Sequence, residues 1–262
     1  MTFHVIIPAR YGSTRLPGKV LADIHGRPML QYVYDNARAS GATRVVVATD
    51  SERVAEACRD FGAEVCMTSA DHRTGTDRLA EAAEVLGLAD DAVVVNVQGD
   101  EPLLPWQLIH QVADDLVAHG DAHVATLCEP VRSAEELFDA NAVKVVMDGA
   151  GYALYFSRAP IPWHRDGFSA AERRLPPGGS HYRHLGLYAY RVSYLKFFAT
   201  HPPCELERLE SLEQLRALHG GHRIHVAAAL MAPGMGVDTP GDLARVRGMV
   251  RGRGEWGIVN SE

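Results

Sequence analysis

Apolar residues recur along the first half of this chain in two alternating rhythms. Short continuous runs at Phe3–Ile7, Arg44–Ala48, Glu64–Met67 and Ala92–Val97 read as strands. Between them, Met29–Ala39, Glu52–Phe61, Asp77–Leu86 and Gln107–Ala118 place apolar residues three to four apart, as helices packed on a sheet do. The runs IIP, VVVA and VVVNV are apolar on both faces, which suits central parallel strands. Strand–helix alternation of this kind predicts right-handed βαβ units and a doubly wound, Rossmann-like α/β fold.

The rhythm changes near Val124. Val124–Glu129, Ala142–Met147 and Ala153–Phe156 predict strands with few residues between them. A Pro- and Gly-rich stretch, Ala159–Ser180, reads as a surface loop. Leu185–Tyr190 then predicts a strand and Leu206–His219 one amphipathic helix. Pro240–Val250 predicts a last helix with Asp238-Thr239 as its cap and Pro240 at its first position. The tail beyond Arg251 is expected to fray. The expectation is one domain over residues 1–262, in which roughly 124–200 form a smaller strand-rich part.

With 47% hydrophobic and 23% charged residues, the chain is an ordinary globular protein with enough length for a large core. Its formal net charge of -7 gives no basic face for nucleic acid, so any polyanion must be met by a local cluster of cations. Cys58, Cys66, Cys128 and Cys204 lie far apart with no CxxC pair, which argues for free thiols in a reducing compartment. No basic-then-apolar leader precedes the first strand and no apolar run is long enough to span a bilayer, so a cytoplasmic protein is expected.

The cation cluster lies in IIPARYGSTRLPGK, residues 6–19, where a buried strand ends and Arg10, Arg15 and Lys19 follow among Gly12 and Gly18. Ligands of open α/β sheets bind beyond the carboxyl ends of strands, and glycines let backbone amides approach an anion. Arginine can grip phosphate with two donors, while lysine acts as a mobile point charge. A Walker A loop is excluded: five residues separate Gly12 from Gly18, and Val20, not a hydroxyl residue, follows Lys19. The dinucleotide pattern G-x-G-x-x-G is absent here. The loop from Pro8 to Lys19 is therefore expected to hold a triphosphate.

VVVNVQGDEP, residues 93–102, brings Asp100 and Glu101 to the same sheet edge, where a carboxylate can hold Mg2+ or simply close a turn after Gly99. Asp238 in MGVDTP is a second candidate ligand and equally a helix cap. RTGTDR, residues 73–78, reads as a helix N-terminus whose backbone can also meet a base edge.

With these segments in place, the chain resembles the 3-deoxy-manno-octulosonate cytidylyltransferases (CMP-Kdo synthetases). Besides the loop and the acidic strand end, the resemblance rests on VVVATD, EVCMTSADHRTGTDRLAE, NAVKVV, GYALYFSRAPIPW, YRHLGLYAYR, LERLESLEQLR and GVDTPGDL, in the family's order from residue 3 to about residue 247. The loop and the acidic motif are shared with wider sugar nucleotidyltransferases; SRAPIPW, RHLGLYAYR and ESLEQLR are far more specific. The resemblance implies a nucleotide-diphospho-sugar transferase fold, a homodimer built partly by a strand-rich arm, and the reaction of CTP with Kdo to give CMP-Kdo and pyrophosphate. It implies that Arg10, Arg15 and Lys19 hold the triphosphate, with Arg10, Lys19 and Asp100 catalytic. Pro8, Ala9, Thr74, Gly75, Thr76, Arg78 and Gln98 would form the cytidine site, and Asp100 and Asp238 would bind Mg2+. Arg158, His184, Tyr188, Glu213 and Gln214 would contact the sugar acid.

Two departures stand out. Cys204-Glu205 replaces the family's usual Ser-Pro, and the tail RGRGEWGIVNSE has no counterpart. The motifs leave open a relative acting on a modified ulosonate such as 8-amino-Kdo. A non-catalytic nucleotide-binding regulator is the alternative from a different class, disfavoured by the intact Lys19, Asp100 and Asp238.

Overall fold

The computed structural model describes residues 2–12, 16–168, 174–176 and 178–251. Arg15, part of the Ala159–Ser180 loop and the tail beyond Arg251 lie outside the described residues.

The first half runs β1 (His4–Pro8), a two-stranded ribbon β2 (Asp23–Ile24) and β3 (Arg27–Pro28), α1 (Met29–Ala39), β4 (Arg44–Thr49), α2 (Glu52–Asp60), β5 (Glu64–Met67), α3 (Gly75–Val85), β6 (Val93–Asn96) and α4 (Trp106–Ala118). β7 (Val124–Pro130), α5 (Ala134–Phe138), β8 (Lys144–Met147), β9 (Ala153–Ser157) and β10 (Tyr182–Arg191) follow. α6 (Val192–Thr200), α7 (Glu205–Glu210), α8 (Gln214–His219), β11 (Ile224–Ala228) and α9 (Pro240–Arg251) complete the described chain.

The main sheet has the order β11-β7-β10-β6-β1-β4-β5. β6, β1, β4 and β5 pair in parallel, as the doubly apolar runs require. Strand alternation sorts the core onto two faces. Val5, Ile7, Val45, Val47, Val93 and Val95 pack with residues of α1, α2 and α4, whereas Ile6, Val46, Ala48 and Val94 pack with residues of α3, α6 and α8. Chain order reverses across β1, between β4 and β6, which opens a crevice beyond the carboxyl ends of β1 and β6.

The strand-rich segment divides in two. β7 and β10 belong to the main sheet, β10 running antiparallel between β6 and β7, while β8 pairs with the start of β10 and carries β9. β10 has a bulge against β7 between Leu185 and Tyr188, with Gly186 within it.

The single helix expected over Leu206–His219 is two helices. Ser211 sits in the left-handed region at φ 52°, and Arg158 takes the carbonyls of Glu210 (2.6 Å) and Ser211 (3.4 Å) away from any continuing helix. α6 and β11 escaped the periodicity reading. VSYLKFFAT is apolar nearly all round, and β11 is a short edge strand that pairs with β7 alone in the main sheet.

Candidate active site

Two strand ends build the site. β1 stops at Pro8, and the Ala9 amide donates to the Ala48 carbonyl at 2.9 Å, so Ala9, itself buried, offers only backbone to a ligand. β6 stops at Asn96, and the turn beyond it passes close under β1. A Cβ at Gly99 would stand 3.1 Å from the Pro8 carbonyl, so the approach suits glycine. Gly18, at φ 67°, sits ahead of Lys19 and aims the loop back over the sheet edge.

Asp238 reaches the site through the backbone. The Val237 amide donates to the Asp100 carbonyl at 2.8 Å, which pins the segment before α9 beside the β6 turn. Thr239, rather than Asp238, caps α9: its hydroxyl accepts from the Asp242 amide at 3.2 Å. The Asp238 carboxylate instead faces Lys19. The Lys19 ammonium donates to Asp100 Oδ2 at 2.5 Å, to Asp238 Oδ1 at 3.1 Å and to the Val237 carbonyl at 3.3 Å. Burial pulls the lysine's pKa down, but the hydrogen bonds and charges of Asp100 and then Asp238 outweigh it and hold it above its ordinary value. Two carboxylates converging on one cation make a hard-oxygen donor set, the kind that suits Mg2+.

Around this triad lies a cavity of about 310 Å³, lined by Pro8, Arg10, Gly12, Lys19, Thr74, Gly75, Arg78, Gln98, Asp100 and Asp238, with His72 as a further wall. Thr74 and Asp77 form a reciprocal capping box at the start of α3, with the Asp77 amide 3.1 Å from Thr74 Oγ1. Arg78 is buried and anchored on Asp50 at 3.0 Å and Thr68 at 2.5 Å. Thr76 turns away from this cavity. Its hydroxyl donates to Glu213 Oε2 at 2.8 Å and lines the neighbouring cavity.

That second cavity, of about 330 Å³, gathers Tyr188, Glu213 and Gln214 with Thr76, Asn96, Gln98, Glu101, Tyr190 and Tyr194. Gln98 lines both cavities and joins them. The rings of Tyr188, Tyr190 and Tyr194 stack in series at 5.5 Å and 5.7 Å. Burial raises the Glu213 carboxyl against the pull of the Thr76 hydroxyl, and burial together with the Asp100 charge pushes Glu101 up to about 7. Among the described residues no lysine or arginine lines this cavity.

His184 and Arg158 stand apart from the other sugar-site candidates. His184 lines a third space of about 460 Å³, which shares Glu101 and Gly186 with the second. Its Nε2 lies 3.0 Å from the Thr126 hydroxyl, and burial depresses its pKa to about 3, so the imidazole is neutral. Arg158 lines none of these three cavities. Its guanidinium donates to the carbonyls of Glu210, Ala140 (2.9 Å) and Ser211, bracing the α7–α8 turn against the loop before β8. Three of the five guanidinium N–H donors go to backbone oxygens, so Arg158 holds the turn beside the sugar-site candidates Glu213 and Gln214 rather than lining their cavity.

Sequence reasoning missed His72, Asn96, Tyr190 and Tyr194 as lining residues. Only Asn96 carried a signal, as the one polar residue inside VVVNV.

A family model described as Cytidylyltransferase matches residues 4–224. The chain is 59% identical over 248 residues to the 3-deoxy-manno-octulosonate cytidylyltransferase of Hahella chejuensis, covering 95% of this chain and 97% of that one. It is 59% identical over 245 residues to the enzyme of the same name from Pseudomonas fluorescens, covering 94% and 96%. Among solved structures, a CMP:2-keto-3-deoxy-manno-octonic acid synthetase complexed with CTP superposes with a TM-score of 0.86 at 40% identity, covering 96% of this chain and 98% of that one.

Proposed function

This chain belongs to the 3-deoxy-manno-octulosonate cytidylyltransferase family, and we propose that it activates Kdo with CTP, giving CMP-Kdo and pyrophosphate. The observation that carries this reading is the pair of joined cavities: one has Lys19 between two aspartates, and the next is lined by groups that read hydroxyls.

In this reading the triphosphate lies against Arg10, Gly12 and Lys19, and the cytidine against Pro8, Ala9, Thr74, Gly75, Arg78 and Gln98. The acceptor occupies the second cavity with its carboxylate end toward Gln98 and Lys19, because the far walls offer carboxyls and phenols but, among the described residues, no cation. Tyr188, Glu213 and Gln214 then meet its hydroxyl tail. The anomeric 2-hydroxyl attacks the α-phosphorus in line, its proton passes to solvent, and the bond to the α,β-bridging oxygen breaks with its electrons leaving on pyrophosphate. Arg10 and Lys19 stabilise charge on the transferring and leaving oxygens. Asp100 and Asp238 would hold Mg2+, which when bound neutralises phosphate charge and acidifies a coordinated hydroxyl.

One observation favours a second acceptor. Glu101 and Glu213 would welcome an ammonium at the tail of an 8-amino analogue. The Glu101 carboxyl, pushed up to about 7 by burial and the Asp100 charge, can also serve as a neutral donor to a plain polyol, which keeps Kdo first. A homodimer and a cytoplasmic location complete the proposal. The first is supported by exposed Leu154 on β9 and Leu206 and Leu209 on α7, the second by four free cysteines. Pyrophosphate release tests the reading, with CTP, UTP, ATP and dTTP against Kdo and 8-amino-Kdo, with and without Mg2+. Metal-dependent release with CTP and Kdo is expected; no release with any pair would leave a nucleotide binder.

A further inference from the structure

Strand β6 contains one residue that its periodicity does not explain. Positions 94 and 96 point to the same side of the sheet, and Val94 is wholly buried in the core that includes α3 and α6 residues. The next position on that side carries Asn96, only 3% exposed, where a valine would match the run around it. Its cross-strand neighbours are Tyr188 on β10 and Ile6 on β1.

The Asn96 and Thr76 side chains pull the pKa of the Tyr190 phenol down, against the burial that raises it. Asn96 Oδ1, however, has no partner among the described residues. A buried polar atom in that state is destabilising, a penalty that a ligand hydroxyl would remove. Asn96 lies on the wall of the second cavity, together with Glu213 and Gln214.

We propose that the Asn96 amide hydrogen-bonds one hydroxyl of the acceptor sugar and so selects among ulosonates. This rests on the reading that the second cavity holds the acceptor. It adds to that reading a contact from the floor of the sheet, on a strand that packing holds rigid. A purely internal role, orienting Tyr190, would leave acceptor selectivity untouched.

The test compares the wild type with Asn96→Ala and Asn96→Ser, using pyrophosphate release from CTP with Kdo and a set of its single-deoxy analogues. In the wild type, one analogue is expected to lose about tenfold or more in kcat/KM. Asn96→Ala should lose a similar factor on Kdo itself and almost nothing further with that one analogue. Its KM for CTP should stay within about twofold. Penalties that multiply for every analogue would overturn the proposal, as would an unchanged kcat/KM for Kdo. If the alanine variant fails to bind CTP, Asn96→Ser takes its place in the comparison. Independently of any variant, the proposal falls if no single deoxygenation costs the wild type more than about threefold. Absence of wild-type turnover with every acceptor would instead overturn the functional reading, and this inference with it.

Discussion

Replacing Lys19 with methionine keeps an unbranched side chain one atom shorter and removes the charge that Asp100 and Asp238 share. Two effects of opposite sign follow. In the free protein the ammonium occupies the space between the carboxylates, at 2.5 Å and 3.1 Å, so it competes with any divalent cation there. A pair of unit charges 4 Å apart is worth about 4 kcal/mol at an effective dielectric near 20 and about 1 kcal/mol in bulk water. Asp100 is 29% exposed and belongs nearer the first limit; Asp238, at 57%, belongs nearer the second. Much of that attraction is offset by the desolvation that also acts on Lys19. Freeing the carboxylates should therefore tighten divalent binding to the nucleotide-free protein by about 1.4 kcal/mol, or about tenfold. Turnover should fall at the same time by about 10²–10³-fold, because a charge facing the transferring and leaving oxygens is gone. Calorimetric titration with Mn2+ reads the first effect, and pyrophosphate release at saturating CTP the second. Weaker Mn2+ binding in Lys19→Met, or turnover within threefold of wild type, would refute the arrangement proposed for this triad.

Asp100→Asn removes one carboxylate and should lower turnover by more than about 10²-fold while the thermal midpoint moves by only a few degrees; near-normal turnover would sink the metal assignment. Glu207 and Arg216 form a buried pair at 2.5 Å and 2.8 Å that ties α7 to α8. Glu207→Ala should cost about 3–5 kcal/mol by urea denaturation and raise the KM for Kdo, since Glu213 and Gln214 follow the same turn; a loss below about 1 kcal/mol would contradict this. His184, depressed to about 3, is neutral when folded and titrates near 6.5 when unfolded. Its contribution to stability is thus complete above pH 6.5 and drains away as pH falls toward 3. Between pH 6.5 and 4.5 the wild type should lose about 2 kcal/mol more than His184→Gln in denaturant titrations, and parallel curves would show that the imidazole is not buried neutral.

Arg158 illustrates where reasoning from residue types reaches its end. A cation is the natural partner for a sugar carboxylate, and SRAPIPW supplies one. In the folded chain, that guanidinium meets three backbone carbonyls before it can meet a ligand. A long flexible side chain can satisfy its charge in any of several directions, and composition does not say which.

The βαβ half of the molecule was legible because burial imposes local patterns. Runs such as VVVA admit only a strand covered on both faces, and the glycines at 18 and 99 mark turns that larger residues would strain or crowd. The turn from Pro8 toward Lys19 at the carboxyl end of a buried strand was legible for the same reason, with Arg15 beyond the described residues. The residues alone left open which distant groups would meet. The convergence of Asp100 with Asp238 depends on one backbone hydrogen bond across 137 positions, from Val237 to Asp100. The split of α7 from α8 depends on Arg158, and the polar floor of the second cavity depends on β10 pairing beside β6. Periodicity is set by neighbours three or four residues away. The site is set by contacts between segments that only the closed sheet brings together.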